Sequence, residues 1–423
     1  MAWWFKTPLW RRVIGGLVIG AILGLVFGEQ AAVLKPFGDA FVRLIKMLIA
    51  PLIFATLVSG VIAMGDPKRL GSLGGRALGL YVATTTVAVV LGLVFGTIFK
   101  PGRGIDLSAA NADARAEVSE LVDTASQAGG IIDRLLAIIP TNPFAALATT
   151  DVLGIIFFAI VFGVGILLAG ERAQPVSRFM ESFSDLMIEI TRVVMELAPV
   201  GVLALMAWVL GTQGLGVLIN LGLLAIALYT ACLLHIFLTY SGIVKGVLGL
   251  PVRRFFGGAV DAQAVAISTA SSSATLPVTI ECASANLGVK KSVAASVLPL
   301  GATINMDGTA IYLGLVALFA AQALGITLGA GDYALVALTA VLASIGAAGI
   351  PSAGLFLAAT VMSMFNVPDE QAVLIIAFIF PFDRLLDMMR TATNVTGDLA
   401  VASAVAKWEG QLDEDTFRAR PMS

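Results

Sequence analysis

Near the C-terminus, inside an otherwise apolar stretch, stand Asp383, Asp387, Arg390, Asn394 and Asp398. Their spacings are four, three, four and four, which at about 3.6 residues per turn places all five on one stripe of a single helix. The flanking sequence, from Ala372 through IIAFIFPF to AVASAVA, is membrane-grade. An ionisable side chain at bilayer depth costs about 2.5–3.5 kcal/mol. A helix carries several on one face only where that face meets protein, water, ions or a charged ligand. The stripe therefore points to a membrane protein that handles charge inside the bilayer.

Bulk composition agrees. Of 423 residues, 58% are hydrophobic and 13% charged, with mean hydropathy +0.95. That is polytopic membrane protein rather than soluble globule. A net charge of −2 offers no basis for nucleic-acid binding. Cys232 and Cys282 lie in apolar or near-apolar sequence, and no CxxC or zinc spacing exists. The single histidine, His235, sits in the apolar run YTACLLHIFL. It reads either as a proton relay or, more commonly, as a packed or hydrogen-bonded structural residue. The opening MAWWFKTPLWRR reads as an interfacial start with Trp anchors that leads into a retained helix.

Apolar spans run about Val13–Gly28, Phe37–Met64 and Leu78–Phe99. The acid-rich stretch from Lys100 to about Gln127 reads as an exposed loop. A segmented fourth helix follows, broken at Pro140–Pro143 and resuming over Val152–Leu168. The fifth covers about Phe179–Leu210 and the sixth about Val217–Tyr240. Lys6, Arg11, Arg12, Lys68, Arg69, Arg76, Arg172, Arg178, Lys245, Arg253 and Arg254 all fall on one side if these helices cross in turn. By the positive-inside rule that side is cytoplasmic and the acidic loop is outside.

After Arg254 the pattern changes. Two apolar stretches are each interrupted by small or polar residues: Phe255–Ala283, broken over Ser268–Pro277, and Tyr333–Phe365, broken over Gly346–Gly354. Arms of about ten to thirteen residues reach roughly half of a 30 Å hydrocarbon core. Each stretch is expected to be a re-entrant hairpin with its tip at the midplane, where irregular backbone survives only in protein or against a cavity. Each precedes a helix with buried polar groups, Leu298–Leu324 and then the C-terminal stripe. Such paired interrupted segments point to a transporter binding site.

Within the first tip, SSSATLP (Ser271–Pro277) offers hydroxyls and free amides at a helix break, a setting that favours carboxylates. The plain alternative is a polar kink that serves helix packing. NMDGT (Asn305–Thr309) puts Asp307 mid-span beside Gly308, which permits unwinding. Carboxylate, amide and carbonyl oxygens together suit a hard cation, Na+ being the natural candidate; a structural Asp paired with a distant base is the alternative. Tyr81, Thr84, Thr85 and Thr86 form a hydroxyl cluster able to add oxygens. On the stripe, Arg390 suits a bidentate carboxylate, Asp387 an ammonium group and Asp398 a cation. With the amides of the first tip, that set describes an amino acid with an acidic side chain. An internal ion-pair network without ligand is the competing reading.

Four runs, SSSATLPVT, GATINMDGT, AAGIP and DMMRTATNVTGD, occur in this order. With them the chain resembles the dicarboxylate/amino acid:cation symporter family, which includes archaeal aspartate transporters and animal excitatory amino acid transporters. The resemblance covers nearly the whole chain. It implies an all-α polytopic fold of eight transmembrane helices plus two re-entrant helical hairpins, in a homotrimer working as an elevator. Residues 1–77 and 100–212 would supply the scaffold and an extracellular loop. Residues 78–99 and 213–423 would supply the moving transport domain.

By the same resemblance Asp387 holds the substrate amino group and Arg390 its side-chain carboxylate. Ser271, Ser272, Thr309, Gly349, Ile350, Thr391 and Asn394 complete the substrate site. One Na+ falls to carbonyls of Gly301, Asn305 and Asn394 with Asp398, and a second to Thr303, Ser344, Ile345 and Ala347. A third falls to Tyr81, Thr84, Thr85, Asn305 and Asp307, with Met306 between substrate and ions. Three departures stand out. Ala270 replaces the archaeal first-hairpin Arg and Met388 the animal one, leaving Arg384 as the extra base. Leu313 stands where animal members carry a proton-bearing Glu. Ser352 stands where some relatives have Gly.

The resulting expectation is a Na+-coupled symporter for aspartate and/or glutamate, multi-pass in a bacterial inner membrane, contacting lipid and no nucleic acid. The rival within transport is a proton-coupled glutamate/aspartate or C4-dicarboxylate symporter. An enzyme is not expected: an intramembrane aspartyl protease would leave the two hairpins unexplained, and the chain has no GxSxG. Two gated tips argue against a plain channel.

Overall fold

The structure, a computed structural model, describes residues 9–63, 73–105, 139–149, 151–214, 216–345, 347, 352–365, 367 and 369–419. Among them the chain is helical, with only an isolated bridge between Val289 and Leu412. The first group of helices is α1 (Leu9–Phe27), α2 (Lys35–Ala63), α4 (Pro143–Thr149), α5 (Val152–Ala169), α6 (Gln174–Met195) and α7 (Ala198–Gln213). Between α2 and α4 comes α3 (Leu73–Phe99). The remainder is α8 (Gly216–Leu234), α9 (Val252–Thr269), α10 (Ser272–Glu281), α11 (Lys291–Ile304), α12 (Asp307–Ala323), α13 (Ala330–Ile345), α14 (Ala353–Ser363), α15 (Asp369–Trp408) and α16 (Glu414–Arg418). The runs Arg11–Phe41, Gly74–Phe99, Gly154–Met195, Leu218–Leu248 and Lys291–Ala323 are long and apolar enough to cross a bilayer. The chain is a multi-pass membrane protein.

Two packing groups emerge. α1, α2, α5, α6 and α7 pack on one another, and α3 packs with α8, α12 and the later helices around α15. The tightest pair in the first group, α1 on α7, is made by glycines that let backbones approach. A Cβ at Gly16 would lie 2.3 Å from the Pro199 carbonyl oxygen, and one at Gly20 would lie 2.4 Å from that of Leu203. Gly20→Val is expected to cost about 1–3 kcal/mol of overpacking strain. A thermal-unfolding scan in detergent should show a clearly lowered midpoint; an unchanged one would mean that the two helices separate freely.

Several expected elements shift. The single fifth helix is two: α6 ends at Met195, and Glu196 and Leu197 form a turn before α7, which starts with Pro199 near its N-terminus. Proline lacks an N–H to continue α6 but suits the first turn of α7. The first hairpin's leading arm is 18 residues, longer than expected, and the break shrinks to Ala270 and Ser271. Ser268 and Thr269 stay helical because their hydroxyls back-bond the carbonyls of Ala264 (2.8 Å) and Val265 (2.9 Å). The Leu298–Leu324 helix breaks at Asn305–Met306, just before the glycine expected to unwind it. α15 is one 40-residue helix. At 1.5 Å per residue it is about 60 Å long, twice a hydrocarbon core. Most of the acidic stretch expected as a loop lies outside the described residues, as does most of the second hairpin's tip.

Candidate functional site

α15 carries the stripe inward. Asp383, Asp387, Arg390, Asn394 and Asp398 are all buried, and Arg390 is 0% exposed. A buried guanidinium needs counter-charge. Arg390 Nη2 donates to Asp387 Oδ1 at 2.7 Å and to Asp383 Oδ1 at 3.0 Å. Its guanidinium lies 4.1 Å from the centre of the Tyr312 ring on α12. Two carboxylates therefore face one arginine, and Arg384 a turn away supplies the second positive charge. Arg384 donates through Nη2 to the Thr269 carbonyl at 3.0 Å, at the free C-terminal end of α9.

The two hairpins approach this stripe from separate directions. On the first, Ser271 caps α10, its hydroxyl accepting the Ala274 amide at 3.2 Å, and Ser272 opens the helix; both are buried. Ala270 holds φ of +49°, a left-handed turn that lets the chain reverse. On the second, Ser352 has φ of +63°, and its amide donates to Asp387 Oδ2 at 2.7 Å. A Cβ at Gly354 would sit 3.0 Å from Arg390 Nη1, so the start of α14 lies directly on the guanidinium. Gly349 and Ile350 lie outside the described residues. Thr309 is buried beside Gly354 and Thr391 back-bonds the Asp387 carbonyl at 2.9 Å.

Polar atoms left over mark where a ligand would be held. Among the described residues, Arg390 Nε and Nη1, Arg384 Nε and Nη1, and Asp383 Oδ2 are buried with no hydrogen-bond partner. Buried polar groups are almost always paired, so this concentration is exceptional. Four donor nitrogens against one acceptor suit an anion.

The break between α11 and α12 faces the lower half of the stripe. Asn394 Oδ1 accepts the Gly308 amide at 2.8 Å, and its Nδ2 lies 3.1 Å from Met306 Sδ. Asn305 Nδ2 donates to Asp398 Oδ1 (2.9 Å) and to the Asn394 carbonyl (3.2 Å), while its Oδ1 has no partner among the described residues. A Cβ at Gly301 would come within 2.4 Å of Asp398 Oδ1, so only glycine lets backbone and carboxylate meet here. Gly301, Asn305, Asn394 and Asp398 are thus gathered together. Thr303, Ile345 and Ala347 line a cavity of about 330 Å³ shared with Thr56, Gly60 and Ser273. Ser344 is buried behind them and donates to Val341.

Tyr81, Thr84 and Thr85 of α3 are buried near Asp307. Asp307 also has partners that sequence reasoning did not assign. Its oxygens accept from Thr85 (2.6 Å), Tyr240 (2.8 Å) and His235 Nε2 (3.0 Å). His235 is accordingly a hydrogen-bonded core residue. No local pattern tied it to a residue on another helix. The five-residue step from His235 to Tyr240 follows a wide turn there, not an α-helical face. Tyr312 escaped notice likewise, being one apolar-looking position among many in α12.

The sequence model of the sodium:dicarboxylate symporter family matches residues 9–408. The chain is 35% identical over 415 residues to a proton/sodium-glutamate symport protein of Bacillus caldotenax, covering 97% of this chain and 96% of that one. It is 36% identical over 416 residues to a C4-dicarboxylate transport protein of Azorhizobium caulinodans, covering 98% and 92%. A proton/sodium-glutamate symport protein of Bacillus subtilis is 34% identical over 413 residues, covering 96% and 94%.

Proposed function

The chain belongs to the sodium:dicarboxylate symporter family and is a transporter, not an enzyme, and from that premise we propose that it takes up L-aspartate and/or L-glutamate coupled to Na+ across a bacterial inner membrane. The observation that carries this reading is Arg390. It is fully buried, its Nε and Nη1 have no hydrogen-bond partner among the described residues, and its Nη2 lies 2.7 Å from Asp387 Oδ1. A guanidinium fork for the side-chain carboxylate beside a carboxylate for the ammonium group is the complement of an acidic amino acid. Arg384 and the α10 amides near Ser271 and Ser272 favour the main-chain carboxylate.

Na+ is cargo moving with the substrate. Asp398 with Asn305 Oδ1, which has no partner among the described residues, and nearby carbonyls provides hard oxygen donors in a dry site. Thr303, Ser344, Ile345 and Ala347 provide a second set beside the hairpin-two tip. Since Ser352 and Gly354 touch Asp387 and Arg390, hairpin-two closure and substrate binding favour one another. That α1, α2, α5, α6 and α7 pack mainly on one another, touching α8, α11 and α13–α15 less extensively, supports an elevator, with the first group as the scaffold of a homotrimer.

Uptake of radiolabelled L-aspartate into proteoliposomes tests the reading, with an inward Na+ gradient set against an inward proton gradient at matched salt. Na+-driven accumulation is expected; proton drive indifferent to Na+ would overturn the coupling. The rival is proton-coupled uptake, with C4-dicarboxylates included, and the Azorhizobium relative's name gives it weight. A succinate analogue lacks the ammonium group and gains nothing from Asp387, so succinate should compete poorly with aspartate. Tyr312 offers a finer check, because a desolvated cation–π contact is worth about 2 kcal/mol. Tyr312→Leu is expected to weaken aspartate affinity about 30-fold while Tyr312→Phe stays near wild type, read by competition uptake.

A further inference from the structure

We propose that Phe417 is a positioning residue for substrate binding: it seats the C-terminal tail as a clasp across the base of the first hairpin, and that clasp holds the distant hairpin tip in place. The inference rests on the acidic amino acid reading above and adds to it a residue that never touches the substrate. The tail begins where α15 stops. Gly410 holds φ of +64°, the Gln411 amide donates to the Ala406 carbonyl at 2.7 Å, and the Gly410 amide donates to that of Lys407 at 3.1 Å. Such a turn sends a chain back along the helix that it ends.

The returning chain pairs with the turn between the first hairpin and α11. The Lys290 amide donates to the Gln411 carbonyl at 3.1 Å and the Asp413 amide to the Gly288 carbonyl at 2.8 Å, on either side of the Val289–Leu412 bridge. The Ser292 hydroxyl adds a bond to Gln411 Oε1 at 3.1 Å. The approach is close: a Cβ at Gly288 would lie 2.2 Å from the Asp413 carbonyl oxygen. Asp413 then caps α16, and Lys407 pairs with Glu414. Phe417, 1% exposed in an otherwise polar segment, is the tail's buried anchor. Through α16 the tail packs on α9 and on residues 282–286, so it touches both arms of the hairpin.

What is held at the base is felt at the tip. The arms meet where Asn286 Nδ2 donates to the Gly258 carbonyl at 3.3 Å and Leu287 lies against Gly258. From Gly258 to Thr269 α9 runs about 16 Å at 1.5 Å per residue. Over that length a rotation of about 5° at the base moves the tip by about 1.4 Å. That is enough to draw an N–H···O contact out of hydrogen-bonding range. The buried Ser271 and the start of α10, which favour the substrate's main-chain carboxylate, stand at that tip. A loosened clasp therefore weakens substrate binding without altering any group that binds it.

The test measures amide hydrogen exchange and L-aspartate uptake on the same proteoliposomes. Phe417→Ala is expected to speed exchange over residues 411–419 and 282–290 and also at the tip, over 268–275. Its KM should rise about tenfold, the worth of about one hydrogen bond, with the saturated rate near wild type. Phe417→Leu keeps an apolar anchor and should bring both readouts back toward wild type. Gly288→Ala presses on the Asp413 carbonyl from the other side and should reproduce the Phe417→Ala pattern; it decides the matter if Phe417→Ala does not fold. In a folded variant whose tail exchanges faster, an unchanged tip or an unchanged KM overturns the proposal. A folded Phe417→Ala whose tail exchanges as in wild type overturns it too, since Phe417 then seats nothing. Wild type that takes up no acidic amino acid would instead sink the parent reading, while exchange at the tip still decides the clasp.

Discussion

Arg390→Ala is expected to abolish uptake of acidic amino acids. The side chain is fully buried and holds Asp383 and Asp387 at 3.0 and 2.7 Å. Removing one partner of a buried ion pair costs about 3–5 kcal/mol, because the remaining charges are left without compensation. The variant also loses the cation that would meet the substrate's side-chain carboxylate. Together these should lower L-aspartate uptake efficiency by at least about 100-fold. Arg390→Lys should rescue little, since an ammonium on a flexible stem cannot reproduce a planar fork stacked on Tyr312. The check is uptake of L-aspartate beside a small neutral amino acid, with expression level and unfolding temperature as controls. A folded Arg390→Ala protein that still takes up aspartate at the wild-type rate would remove Arg390 from the substrate site.

The second large effect is expected at Asp398. Its carboxylate is 2% exposed, accepts the Asn305 amide at 2.9 Å and lies against the backbone of Gly301. Asp398→Asn preserves shape and removes the anion. Even groups that only support a metal ligand are worth about 10–100-fold in affinity, so loss of a charged ligand belongs at or above the top of that range. The Na+ concentration for half-maximal aspartate uptake should therefore rise by about 100-fold or more. High Na+ should restore part of the rate, since the substrate residues are untouched. A Na+ titration that superimposes on wild type would place the ion elsewhere.

Membrane character, the two interrupted stretches and the C-terminal stripe follow from composition and spacing, because cost in the bilayer and helical period are local properties of the chain. Less was legible where two local preferences compete. Ser268 and Thr269 read as a break, yet their hydroxyls return to the preceding turn and prolong α9. Helix five reads as continuous from its apolar run, yet Pro199 restarts it. The unwinding near Asp307 falls at Asn305–Met306 because Asn394 and Asp398 accept the amides of Gly308 and Asn305 there, contacts made across 86 and 93 residues of chain.

That charge is carried within apolar helices, and on which faces the acids and Arg390 stand, follows from the order of residues alone, because hydrophobic cost and a 3.6-residue period act along the chain. Which charges pair is settled by how the helices come together. Their packing set His235, Tyr240 and Thr85 on one oxygen pair of Asp307 and left Arg390 Nη1 and Asn305 Oδ1 without a partner among the described residues. Hydrogen bonds act over about 3 Å and need atoms from α3, α8, α12 and α15 to converge. Spacing within any one helix carries no record of that convergence.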